Sequence, residues 1–180
     1  VLERTFAVRS EALCVAALPD GVHFVVGLGV GNGGELRLYH VDGTLVHAFT
    51  AHTPRKPAHK GHAVRAVAVT PDGQHIISGS NDMSIKVWSV ASKSLLSDCT
   101  GHTSAVHAVA AMPDGQRILS GGDDSVRVWL CGTIENTFWL HRYRVNALVA
   151  LPDNQHALSG SDDRTVKLFN VNDGAVLRTF

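Results

Sequence analysis

The chain has 180 residues, 44% of them hydrophobic and 18% charged, a balance that supports a folded core and excludes a disordered chain. Sixteen Lys and Arg offset sixteen Asp and Glu, so the basic excess that usually marks a nucleic-acid binder is missing. No apolar run approaches the roughly 20 residues of a membrane helix, and residues 1–6 lack the apolar core of a secretory signal. Cys14, Cys99 and Cys131 are odd in number and lack CxxC spacing; they predict neither a disulfide framework nor a thiolate zinc site, and point to a reducing compartment, cytoplasm or nucleus. The absence of a starting Met suggests processing, or a piece of a longer protein.

In chain order, residues 1–6 (Val-Leu-Glu-Arg-Thr-Phe) closely echo 176–180 (Val-Leu-Arg-Thr-Phe). Both read as the outer strand of a sheet, so the chain is expected to begin with the last strand of a preceding repeat. Pro19-Asp20-Gly21 is a turn: proline presets φ, Asp bonds the local backbone, and Gly accepts positive φ. The glycine-rich stretch 27–34 superficially resembles a dinucleotide loop, but that motif opens a helix. Here the strand Leu36-Arg37-Leu38-Tyr39 follows, so an enlarged hairpin loop is expected instead. Residues 51–60 are read as an inserted loop, basic and proline-stiffened around Arg55 and Lys56.

The next stretch is clearer. Residues 64–69 alternate with period two and are rich in Val, which marks a strand. Pro71-Asp72-Gly73 turns the chain into the apolar run 75–78. Asn81-Asp82 marks another turn, Ile85-Lys86-Val87-Trp88 a third strand and 93–99 a fourth. The same order follows from Pro113-Asp114-Gly115 and from the variant Pro152-Asp153-Asn154. The four prolines stand 52, 42 and 39 residues apart. Ser-Gly-x-x-Asp runs at 78–82, 120–124 and 159–163 precede strands ending in Trp88, Trp129 and Phe169; Tyr39 holds that place in the first copy. Gly61-His62 and Gly101-His102 supply a third marker.

This pattern resembles the WD-repeat family over essentially the whole chain, with a period of about 40–45 residues and four strands per blade. The resemblance implies an all-β, WD-type β-propeller segment of four four-stranded antiparallel blades, near 7–50, 61–100, 101–139 and 140–180. The resemblance implies closure with about seven or eight blades, and although four could close alone, the segment is expected to be part of a larger ring or half of a dimeric one. It also implies a buried His, Ser, Asp and Trp set in each blade. The third copy offers His102, Ser120, Asp124 (or its neighbour Asp123) and Trp129. The second offers Ser78, Asp82 and Trp88, with no settled histidine, because Gly61-His62 lies close to Val64 and Ala51-His52 precedes the insertion. The fourth offers His141, Ser159 and Asp163, with Phe169 unable to donate an N–H.

A Ser-His-Asp set suggests a hydrolase, but a catalytic triad has no reason to recur in several blades, and no Gly-x-Ser-x-Gly elbow is present. Eleven histidines suggest a metal, yet no HExxH or Cys/His knuckle occurs, so neither a metal nor another cofactor is expected. Binding residues concentrate on loops held by a rigid scaffold, and the resemblance implies the top surface and central channel as docking places. At 139–144, bulky Trp139, Arg142, Tyr143 and Arg144 replace the usual small loop, and Trp, Tyr and Arg favour interface hot spots. Together with Arg55 and Lys56 they are the candidate partner-binding residues. The expected function is a non-enzymatic scaffold for other proteins, with self-association as one way to complete a ring. The alternatives are RNA contact through the basic loops and a ligand-binding or enzymatic channel.

Overall fold

The computed structural model describes residues 7–8, 10–30, 33–52, 61–123 and 125–180. The described residues form sixteen strands and no helix. The first sheet holds β1 (Glu11–Ala17), β2 (His23–Val30), β3 (Gly33–His40) and β4 (Leu45–His52). The second holds β5 (Val64–Val69), β6 (His75–Ser80), β7 (Ser84–Ser89) and β8 (Leu95–Thr100). The third holds β9 (Ala108–Ala111), β10 (Arg117–Gly121), β11 (Val126–Leu130) and β12 (Thr133–Phe138). The fourth holds β13 (Val145–Ala150), β14 (His156–Ser161), β15 (Val166–Asn170) and β16 (Val176–Thr179). Every sheet is an antiparallel meander in chain order. These are the four propeller-type blades that the repeat predicts.

The turns explain why the meander repeats. In three of them one Asp carboxylate accepts two successive backbone N–H groups: Asp20 from Val22 and His23, Asp114 from Gln116 and Arg117, Asp153 from Gln155 and His156. Such Asx bonding holds the chain in a tight reversal without help from elsewhere.

The sheets stack face to face, with β1 against β5, β5 against β9 and β9 against β13. The second, third and fourth sheets each send an aromatic ring from the third strand and a valine at, or just before, the start of the inner strand into the preceding sheet. Trp88 and Val64 meet Val25, Leu36 and Leu38. Trp129 and Val106 meet Ile77 and Ile85. Phe169 and Val145 meet Leu119, Val126 and Val128. Fully burying each large side chain contributes about 1.5–3 kcal/mol, which a lone sheet has no means of gaining. The four inner strands line one open groove of about 230 Å³, with Cys14, Ala66, Ala108 and Ala147 on its wall.

Two expectations need correction. The stretch 27–34 is not an enlarged loop, because Gly27 and Gly29 lie within β2 and Gly33 and Gly34 begin β3. These glycines serve close approach. A Cβ on Gly34 would stand 2.1 Å from the His62 carbonyl oxygen, and one on Gly27 would stand 2.7 Å from Val64 Cγ1. Likewise β4 continues through Ala51 and His52, both buried, so the inserted segment starts later than position 51. Residues 1–6 and 53–60, Arg55 and Lys56 among them, lie outside the described residues, as does Asp124.

Candidate functional site

Where the end of β4 meets the second sheet, a buried polar cluster forms. His52 at the end of β4 places Nε2 2.8 Å from Ser78 Oγ on β6 and Nδ1 2.8 Å from Asp82 Oδ2 in the β6–β7 turn. Trp88 Nε1 on β7 donates to Ser78 Oγ at 3.0 Å. An ionised carboxylate only accepts, so Nδ1 carries the proton. Ser78 Oγ accepts the indole N–H, which leaves its own hydroxyl proton to be directed at His52 Nε2. Burial works against the charge on Asp82, yet the His52 hydrogen bond and the Ser84 hydroxyl and N–H hold its carboxyl below the usual carboxylate range. His52 therefore occupies the place that the sequence left open. His62 instead lies buried, with its Nδ1 unpartnered among the described residues, and its carbonyl accepts from Ser80.

The other sheets vary this set. His102 Nε2 and Trp129 Nε1 each lie 2.7 Å from Ser120 Oγ. Asp123 is turned elsewhere, to His107 at 3.2 Å and Arg144 at 3.3 Å. Burial, and the Arg127 charge after it, push the His102 imidazole down to about 4. In the fourth sheet His141 lies 2.7 Å from Ser159 Oγ and 2.8 Å from Asp163 Oδ2, with Thr165 completing the turn. Phe169 fills the indole position, so Ser159 lacks that donor. The first sheet has Val26 and Tyr39 at the matching places, an apolar version of the same face.

Ser78, Ser120 and Ser159 are each 0% exposed. A hydroxyl so placed meets no substrate. The repeated Ser-His pairs satisfy buried donors and tie the outer-strand end, the second strand and the following turn into one unit. Among the described residues no group of three His, Cys, Asp or Glu is arranged to hold a metal ion.

The candidate partner-binding loop is different in kind. Trp139 is 72% and Tyr143 62% exposed, while the neighbouring Leu140 packs inward on the third-to-fourth sheet core. The loop backbone is pinned from below: the Arg142 N–H reaches Asp163, Ser161 Oγ donates to the Tyr143 carbonyl, and the Asp162 N–H donates to the Arg144 carbonyl. Arg142, Tyr143 and Arg144 thus border an open cavity of about 250 Å³ together with Asp123 and Asp162. Arg142, Tyr143 and Arg144 stand beside two carboxylates, and Trp139 precedes them on the same loop.

Next to this loop lies a row of polar pairs along the inner strands, which sequence reasoning missed. Arg65 donates to Asn81, His107 pairs with Asp123, and Asn146 donates to Asp162, each pair separated by 16 positions. That constant separation is a signal in the sequence, hidden because the residue types differ from repeat to repeat. The Pro-Asp-Asn variant also has a purpose. Asn154 takes φ 59°, donates to Asp114 Oδ2 and accepts the Asp114 N–H, clasping the third and fourth sheets. Arg117 extends the clasp to Asn172 and the Asn154 carbonyl.

Comparison with known proteins gives one consistent picture. The family described as "WD domain, G-beta repeat" matches residues 43–89, 93–129 and 132–170. Human striatin is 37% identical over 60 residues, which is 33% of this chain and 7% of that protein; mouse striatin matches to the same extent. Rat striatin-3 is 35% identical over 60 residues, 33% of this chain and 6% of that protein. The matched stretch therefore spans a small part of these longer relatives.

Proposed function

Because the chain belongs to the WD40 repeat family, we propose that it is a non-catalytic scaffold that holds a protein partner on the loop 139–144. A protein-interaction role in general follows from the family and from the likeness to striatin. The particular surface is supported by one observation: two large aromatic side chains, Trp139 and Tyr143, stand exposed on a loop whose backbone is fixed by three hydrogen bonds. Holding such groups rigid reduces the entropy lost on binding, which makes aromatic anchors effective. Arg142 and Arg144 beside Asp123 and Asp162 suit a partner with charges of both signs. Three free thiols support a reducing location, cytoplasm or nucleus.

The test is affinity capture with the wild-type chain and with a Trp139→Ala, Arg142→Glu, Tyr143→Ala variant, after nuclease treatment. The same proteins should fall away from the variant while its melting temperature stays within about 2 °C, because surface changes are usually worth under 0.5 kcal/mol. Capture of an unchanged set would overturn this surface. Capture abolished by nuclease, with steep salt dependence, would favour RNA contact through the basic loops instead.

A further inference from the structure

The second, third and fourth sheets each contribute one polar side chain to the open groove along the inner strands: Arg65 on β5, His107 just before β9 and Asn146 on β13. Each is fixed from behind by the turn between the second and third strands of its own sheet. Arg65 Nε donates to Asn81 Oδ1 at 3.0 Å, His107 Nε2 lies 3.2 Å from Asp123 Oδ1, and Asn146 Nδ2 donates to Asp162. An alanine follows each of the three on its strand, so the wall beneath the row is small and apolar.

Tying down one atom of each group decides what the others offer. Arg65 keeps both terminal nitrogens, which only donate. Burial first, and then the Arg144 charge, hold the His107 imidazole below its ordinary value. The ring is therefore neutral at neutral pH, gives its one N–H to Asp123 and keeps Nδ1 as an acceptor. Asn146 keeps Oδ1, a second acceptor. The row thus runs from a cationic donor in the second sheet to neutral acceptors in the third and fourth. Arg65 is the one charged side chain among the described residues lining the groove, because burial lifts the Cys14 thiol to about 11 and keeps it neutral.

We propose that this groove binds a peptide through a carboxylate, which Arg65 receives, while N–H groups of the same peptide donate to His107 Nδ1 and Asn146 Oδ1. Three features select that ligand. A single positive charge among the lining residues matches a single carboxylate. The two acceptors call for N–H donors beside the anion, and an extended peptide supplies one at each residue, about 3.3–3.6 Å apart. A run of phosphates brings only further acceptors to Nδ1 and Oδ1, with the carboxylates of Asp123 and Asp162 behind them. The groove, at about 230 Å³, also suits a short stretch of chain rather than a folded domain. It shares no lining residue with the cavity beside the loop 139–144, so neither site depends on the other.

The probes are acetyl-trialanine with a free C-terminus, acetyl-Ala-Glu-Ala-amide, the uncharged counterparts of both (the C-terminal amide and the Gln peptide), and inorganic phosphate. Binding is followed by NMR at the isotope-labelled methyls of Ala66, Ala108 and Ala147. An acid peptide should shift these methyls saturably and bind at least about tenfold more tightly than its uncharged counterpart, the equivalent of 1.4 kcal/mol. Which of the two acid peptides binds tells a C-terminal carboxylate from an acidic side chain. Arg65→Gln should erase the preference for the acid, and Arg65→Lys should keep part of it. Both should melt as the wild type does, because Arg65 is exposed. A Trp139→Ala, Tyr143→Ala variant should bind the peptides unchanged. Equal binding of acid and uncharged peptides overturns the proposal, as does a preference that survives Arg65→Gln. So does inorganic phosphate that shifts the same methyls as strongly, or the absence of any shift up to the solubility of the peptides.

Discussion

Ser78 and Ser120 each serve two partners through one oxygen, accepting an indole N–H and donating to a histidine. Removing the hydroxyl strands both partners in a buried interior, and a buried group left unsatisfied costs about 1–3 kcal/mol. Ser120→Ala should therefore lower the unfolding free energy by about 2–4 kcal/mol in urea titration. Ser159→Ala should cost less, because Phe169 makes no demand on it. His102 adds a pH signature. Its imidazole titrates at about 4 against an ordinary 6.5, so the unfolded chain binds a proton that the folded chain refuses. The stability that follows is complete above pH 6.5 and drains as the pH falls toward 4. Thermal melts between those values should show this loss, and His102→Gln should flatten it; an unchanged slope would mean that His102 is charged in the fold.

At the scale of the element, the turns carry as much information as the strands. The repeat places glycine after Pro-Asp, and a substitution of Asn154→Gly restores that regularity. The structure predicts that restoring it is unfavourable. Glycine tolerates the φ of 59° but loses both bonds to Asp114, so the variant should be less stable by about 1 kcal/mol, despite matching the other turns. A stabilised Asn154→Gly would show the clasp to be inert. The strands were legible because two-residue alternation and Pro-Asp-Gly punctuation are local. The role of His52 was not legible: an insertion separates it from β5, and only the position of β4 beside β6 shows which histidine reaches Ser78.

Across the whole molecule, carboxylates hydrogen-bonded in turns set the acid limit. Asp114 is held near 2 against an ordinary 3.8: burial opposes its charge, but bonds from Arg117, Gln116 and Asn154 outweigh it. Hydrogen bonds from His156 and the Gln155 N–H bring Asp153 to about 2 as well. A carboxylate depressed on folding contributes stability that is complete above its unfolded value and is lost as pH falls through its folded one. Acid unfolding should therefore steepen between about pH 4 and 2, following the earlier loss due to His102. Circular dichroism through that range tests the order of the two events.

The sequence by itself determined the repeat, the strand order within each sheet, the turn chemistry and hence the WD40 architecture. Each of these depends on residues close together in the chain, where alternation and backbone preference act directly. Tertiary structure alone decided which histidine joins Ser78, why glycines crowd β2 and β3, and what Asn154 is for. These depend on distances between sheets, which are set by how side chains interlock across an interface and leave no mark in the spacing of residues along the chain.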